Sequence, residues 1–385
     1  MLNFTFRNPT KILFGKNRIE EINKEIPAGS KVLITYGGGS IKSTGTLAKV
    51  KKALSGFELS EFGGIEPNPS YETLMKCVEQ IKATPVDFIL AVGGGSVIDG
   101  TKFIAAATLY SGDPWEILTS FGSKIKEALP FATILTLPAT GSEMNSGAVI
   151  TNRALHAKLP FGSPLLYPVF SVLDPEVTYT LPDSQISNGV VDAFVHVTEQ
   201  YLTYPVDAKV QDRFAEGLLL TLIEDGPKAL LDRENYEVRS NLMWSATMAL
   251  NGLIGSGTPQ DWATHMIGHE ITALHGVDHA RTLAIVLPSL LKVRKLEKKE
   301  KLLQYGERIW GITEGSEDER IDLAIKKTGD FFKSMGIGIK LSDYGILAED
   351  IQTIVGQLKD HGMVKLGEKK DITPEVVEQI LKLSV

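Results

Sequence analysis

The chain has 385 residues, a length that suits two domains of ordinary size better than a single core. Hydrophobic residues make up 43%, charged residues 23%, and the net charge is −7, so nothing favours nucleic acid or an anionic membrane as partner. Cys77 is the sole cysteine, which excludes an intrachain disulfide and any zinc site built on several cysteines.

The N-terminal stretch MLNFTFRNPTKILFG alternates like a strand and lacks the apolar run of a signal peptide. Lys31–Tyr36, Asp87–Val92 and Ala132–Leu137 are short apolar runs, each ending in a glycine- or serine-containing turn. Uniformly apolar runs separated by helical spacing read as strands of a parallel sheet. Between the first two, Tyr71–Ala83 has helical periodicity, with an N-cap signal at Ser70. Near Leu173–Pro182 the pattern changes and strand-like runs cease. Helical patterns follow over Ser184–Tyr201, Asp207–Ala229, Val238–Leu253 and Thr258–Leu274, and continue to the end. We therefore expect an α/β dinucleotide-binding domain over 1–180, with a Rossmann-like parallel sheet, and an all-helical domain over 181–385. Thr282–Val293 is apolar but short and interrupted by Pro288, so no membrane span is expected. The charged run Lys292–Lys301 reads as a solvated helix face. The whole reads as a soluble, cytoplasmic protein.

Two turns, Gly37-Gly-Gly-Ser40 and Gly93-Gly-Gly-Ser-Val-Ile-Asp99, each follow a strand run. A doubly wound sheet binds ligands at such strand ends, and glycine lets the backbone approach a pyrophosphate beside a helix N-terminus. Neither turn is G-x-G-x-x-G, and a lone turn of this kind serves equally well as a tight strand-to-helix connection. We assign the second turn to the pyrophosphate, through Gly94, Gly95 and Ser96, and the first to the adenosine side, through Gly37, Gly38 and Ser40. Ser40 stands where many dinucleotide sites carry an acid, and Lys42 is near. An acid there would repel a 2′-phosphate that a serine hydroxyl can bond, so NADP(H) is expected over NAD(H).

Four of the seven histidines fall between His265 and His279. His265 and His269 share a helix face, as do Asp192 and His196 on a separate helix. Such pairs offer two ligands to one ion, and the residue types suit iron(II), zinc, manganese or nickel. His275 precedes Gly276 and reads as a helix-end residue; His156 and His361 stand alone and read as structural or surface residues. His269-Glu270 is not followed by the second histidine of H-E-x-x-H, so the zincin protease pattern fails. No G-x-S-x-G elbow is present, and no tyrosine is followed four residues later by lysine.

Taken in order, the motifs resemble the group III, iron-containing-type alcohol dehydrogenases, within them the NADPH-dependent butanol dehydrogenase and aldehyde reductase branch. The matching stretches are Phe14-Gly-Lys16, both glycine turns, Leu135-Thr-Leu-Pro-Ala-Thr-Gly-Ser-Glu143, Asn188-Gly-Val-Val-Asp-Ala-Phe-Val-His196, Trp262-Ala-Thr-His-Met-Ile-Gly-His-Glu270 and Asp278-His279. The resemblance implies one divalent metal, iron(II) or zinc (nickel in a recombinant preparation), on Asp192, His196, His265 and His279. His269 would be a non-liganding histidine beside the nicotinamide. It also implies cofactor contacts at Thr136, Thr140, Ser142, Asn145 and Lys158. Asn68 and Asp99 join the cofactor set, and Asp99 stands with His269 as a catalytic candidate. The implied reaction is hydride transfer between NADP(H) and a small alcohol or aldehyde, in a homodimer. Two rivals share the architecture: a polyol dehydrogenase using metal and NAD, and a lyase like dehydroquinate synthase. A nucleotide-binding regulatory or metal-storage protein is the non-enzymatic rival. The apolar surroundings expected of His265, with Trp262, Met266, Ile267, Leu253 and Ile254, favour a small apolar substrate.

Overall fold

The computed structural model describes residues 1–155 and 157–385, so His156 lies outside the described residues. The strands among them are β1 (Lys11–Phe14), β2 (Lys31–Tyr36), β3 (Glu58–Phe62), β4 (Phe88–Gly93), β5 (Phe131–Leu135), β6 (Gly147–Asn152), β7 (Ala157–Gly162) and β8 (Phe170–Leu173). Six of them form one parallel sheet in the order β1-β8-β5-β4-β2-β3. Leu33, Ile89 and Phe131 pack into one core; Val32, Ile34, Leu90 and Ile134 pack into another. Both faces are thus covered, which explains why these strands read as continuous apolar runs. β6 and β7 pair as an antiparallel hairpin outside the sheet.

The chain leaves β2 for β3 on one side and returns to β4 on the other, so the order reverses between β2 and β4. Both glycine turns follow these two neighbouring strands, at the switch point where such sheets take ligands.

The early helices are α1 (Ser40–Ser43), α2 (Thr46–Ala53), α3 (Tyr71–Ala83), α4 (Gly95–Leu109) and α5 (Trp115–Thr119). The expected cap holds: Ser70 Oγ accepts from Thr73 N at 3.3 Å. The later helices are α6 (Asp183–Tyr201), α7 (Lys209–Leu231), α8 (Tyr236–Ala249), α9 (Ala263–His275), α10 (His279–Val293), α11 (Lys299–Trp310), α12 (Glu317–Ser334), α13 (Ile351–Asp360) and α14 (Pro374–Leu383). No described helix is long and apolar enough to cross a membrane.

Two compact units result: a sheet unit of Arg7–Leu181 with Arg233–Thr247, and a helical unit of Met1–Phe6, Pro182–Asp232 and Met248–Val385. Most of α8 therefore belongs with the sheet. Met243 lies in its core and Trp244 stands edge-on to Phe14 with ring centroids 5.9 Å apart. The strand signal at the N-terminus falls on Lys11–Phe14 alone. Met1–Phe6 joins the helical unit, where Leu2 N donates to Gly257 O at 2.9 Å.

Three expectations are corrected. The helix expected over Val238–Leu253 stops at Ala249, so Leu253 and Ile254 sit in a turn. The helix expected from Thr258 begins only at Ala263, because Trp262 turns left-handed (φ 62°) and Asp261 Oδ1 takes the Ala263 amide at 2.9 Å. Lys292–Lys301 is not a solvated helix face. The helix ends at Val293 and resumes at Lys299, and Lys298 between them is 2% exposed, with its ammonium 2.7 Å from Asp261 and 2.9 Å from Glu368. A buried lysine carrying two carboxylates is an internal tie.

Candidate metal centre and nucleotide site

In the helical unit, α6 presents Asp192 and His196 one turn apart, α9 presents His265, and His279 opens α10. Asp192 Oδ1 lies 3.7 Å from His196 Nδ1, 3.9 Å from His265 Nε2 and 3.8 Å from His279 Nε2. These separations are too long for hydrogen bonds. Asp192 Oδ1 is buried and makes no hydrogen bond among the described residues. Two ligands about 2.1 Å from a tetrahedral cation stand about 3.4 Å apart, so the cluster is spaced for one cation with little closure. The ligand atoms of Asp192, His265 and His279 fall within 4.8 Å of one another, and the His196 ring stacks on His265 with centroids 4.6 Å apart. One carboxylate with three imidazoles suits iron(II) or zinc.

His265 is aimed from behind. Its Nδ1 is in short contact with Glu199 Oε2, leaving Nε2 toward Asp192. Glu199 Oε1 accepts the backbone amides of Thr264 at 2.7 Å and His265 at 3.3 Å, closing the start of α9. Burial, then the Asp261 charge, pushes the Glu199 carboxyl up to about 8; His196 and the two amides pull it back. Sequence reasoning missed this residue. Its signal was the position three residues after His196, on the same helix face.

His269 is buried, with its ring centroid 5.1 Å from that of His279 and 6.2 Å from that of His265. His275 is the exposed last residue of α9, where Gly276 turns left-handed (φ 67°). His361, expected to stand alone, meets Glu270 Oε1 at 2.8 Å. Burial raises the Glu270 carboxyl and His361 opposes that rise. The Trp262 ring stands 5.4 Å from the His265 ring, and Met266 and Ile267 follow His265 along α9.

In the sheet unit, Gly94 precedes α4, whose first amides point away from the helix as anion donors. Gly95 is required there: a Cβ would stand 2.5 Å from the Thr140 side chain. Ser96, Thr136 and Thr140 are partly exposed around this turn. The first turn enters α1 through Gly39 (φ 108°), and Gly38 and Ser40 are exposed. The Lys42 ammonium sits 4.9 Å above the Tyr36 ring, and the Tyr36 hydroxyl donates to Glu61 at 3.0 Å. Lys51 pairs with Glu61 and, ahead of Tyr36 and Lys42, holds its carboxyl below the usual range. Glu61, which meets Tyr36 at the end of β2, is thus already paired with a cation.

Lys158 is buried on β7, not a surface residue, and its ammonium donates to Asn68 Oδ1 at 2.8 Å. Asp99 accepts from Ser142 Oγ at 2.6 Å and from Val149 N at 2.9 Å; burial raises its carboxyl, and Lys102 is the main opposing charge. Asn145 Oδ1 accepts from Gly147 N at 3.0 Å.

With the geometry in place, the relatives can be compared. Residues 9–175 match the iron-containing alcohol dehydrogenase family, and residues 186–385 match the C-terminal part of the Fe-containing alcohol dehydrogenase family. The chain belongs to this family and is an oxidoreductase of the alcohol dehydrogenase and aldehyde reductase kind. It is similar to the NADPH-dependent aldehyde reductase YqhD of Escherichia coli (strain K12), at 60% identity over 382 residues, 99% of each chain. It is 44% identical over 390 residues, 100% of each chain, to the probable NADH-dependent butanol dehydrogenase 1 of Bacillus subtilis (strain 168). The crystal structure of E. coli K-12 YqhD superposes with a TM-score of 0.99 at 59% identity, covering 100% of this chain and 99% of that one. The resemblance read from the motifs, the fold and the enzyme class all hold.

Proposed function

We propose that the protein reduces small aldehydes to primary alcohols with NADPH, using a divalent cation held by Asp192, His196, His265 and His279. The observation that carries this reading is the buried Asp192 oxygen faced by three imidazole nitrogens at 3.7 to 3.9 Å. A bound cation supplies Lewis acidity toward the substrate oxygen, and the nicotinamide supplies the hydride. The chain's own part is to orient and to manage a proton. Glu199 fixes which His265 nitrogen faces the metal position. His269, one turn after His265 on α9 with its ring 5.1 Å from that of His279, is the proton relay. Asp99 is engaged with Ser142 and Val149, so we assign it to the nucleotide loop and not to the hydride transfer. Aliphatic aldehydes of about three to six carbons fit the apolar company of His265. Steady NADPH oxidation with butanal, by protein refilled with iron(II) or zinc, tests the reading. Turnover that is indifferent to metal removal overturns it.

The named relatives divide between NADPH and NADH, so the cofactor preference rests on the Ser40 turn. Ser40 is exposed with Lys42 two residues on, and the neighbouring acid Glu61 is tied to Lys51. Ser40→Asp brings a carboxylate against a 2′-phosphate. The ratio of kcat/KM for NADPH over NADH is expected to fall about 10- to 100-fold, a change of one to three kcal/mol. A wild-type preference for NADH would overturn the assignment.

We further propose a cytoplasmic homodimer. Cys77 is buried, and burial pushes its thiol up to about 12, out of reach of redox chemistry at neutral pH. Met1, Leu2, Phe4 and Phe6 are exposed apolar side chains on one short arm, a surface that a second copy can cover. Sedimentation equilibrium should give twice the chain mass; a single-chain mass rejects the dimer.

A further inference from the structure

Lys102 lies on α4, seven residues after Gly95, and its side chain is fully buried. Its ammonium donates to Ser142 Oγ at 2.8 Å, Asn145 Oδ1 at 3.0 Å and Gly147 O at 2.7 Å. All three donors of one cation therefore go to one short segment, the loop after β5 and the first residue of β6. Ser142 Oγ passes its own hydrogen to Asp99 Oδ1, and Asn145 Nδ2 reaches Thr140 O at 3.4 Å. Thr140 in turn packs against Gly95 at the start of α4. The hydroxyl of Ser142 and the amide of Asn145 are thus turned inward, although both were expected to touch the cofactor.

We propose that Lys102 is a positioning residue that clamps the Thr140–Gly147 segment onto α4 and sets Ser142 and Asn145 in place for the cofactor. The inference rests on the reading that the sheet unit binds a nicotinamide dinucleotide. It assigns cofactor affinity to a side chain that is fully buried. A cation with three bonds to one loop orders that loop before the ligand arrives, which lowers the ordering cost of binding. Burial depresses the lysine's pKa to about 8, with Asp99 and Glu143 opposing the fall. The charge is thus held by the carboxylates and loop acceptors around it.

The test is a double-mutant cycle read by NADPH binding, measured by nucleotide fluorescence on the purified metal-loaded protein. Lys102→Met should raise the NADPH Kd about tenfold or more, since hydrogen bonds to a charged group are lost and the loop shifts. KM for NADPH should rise with it while kcat changes less than about threefold. Ser142→Ala should weaken binding in the wild-type background yet add almost nothing to Lys102→Met, the mark of residues acting as one unit. If Lys102→Met does not fold, Lys102→Gln, which keeps a neutral donor on α4 and leaves Asp99 untouched, takes its place in the cycle. An unchanged Kd in either variant, even with lower thermal stability, overturns the proposal. So does an undiminished Ser142→Ala effect on that background. Failure of the wild type to bind NADPH would instead overturn the cofactor assignment.

Discussion

His265→Ala is expected to lose the divalent metal and at least about 10³-fold in kcat/KM with butanal, because Lewis-acid stabilisation contributes several kcal/mol to the transition state. His265 is central to the cluster: it faces Asp192 with one nitrogen, Glu199 with the other, and stacks on His196. His269, one turn further along α9, gives the contrast. His269→Ala is expected to keep the metal and to slow kcat about 10- to 100-fold, the scale of a lost proton relay. Metal content per chain, measured alongside turnover, separates the two. Metal loss in His269→Ala, or metal retained in His265→Ala, would reverse the roles given to these two residues.

The second large effect belongs to Glu199. Glu199→Gln keeps the shape and one carbonyl oxygen for the amides of Thr264 and His265. The new amide nitrogen then faces His265 Nδ1 and donates to it. That inverts the tautomer and places a hydrogen on Nε2, the nitrogen that faces Asp192. Metal affinity should fall about 10- to 100-fold, the range for lost carboxylate support behind a liganding histidine. Competitive titration with a chelating indicator measures the loss, and activity at saturating metal should recover in part. Wild-type affinity in Glu199→Gln would show that the short contact does not set the tautomer.

The parts legible in the sequence were those where one residue type does one job. Val32–Tyr36 and Phe88–Gly93 are buried on both faces and had to be largely apolar, so they read as central strands. β3, Glu58–Phe62, was silent because an edge strand needs no apolar face and carries charge instead. The hairpin β6–β7 was missed for a related reason. It packs beside the sheet, and Gly147, Lys158 and Pro160 interrupt any simple alternation. The proposed metal cluster was legible because its candidate pair on α6 repeats at the helical period. Glu199 and Lys102 were not, because each acts across elements. Glu199 on α6 reaches α9, and Lys102 on α4 reaches a loop 40 to 45 residues onward. The start of α9 was placed too early for the same kind of reason. Asp261 takes the Ala263 amide with one carboxylate oxygen while Lys298, far along the chain, holds the other.

The return of residues 233–247 to the sheet unit has a consequence for how the protein can be assembled. Glu143 is fully buried, and Thr247 Oγ1 is 2.5 Å from its Oε1. Met243 fills the same unit's core. A fragment ending at residue 181 would leave that carboxylate without its hydroxyl and that core with a gap, faults that cost about 1–3 and 2–5 kcal/mol in well-packed proteins. During synthesis the sheet can begin to form early, but it stays incomplete until residue 247 has emerged, by which time α6 and α7 have already been made. The nucleotide unit and the metal unit therefore mature in one overlapping interval, and neither is a separable module of the chain.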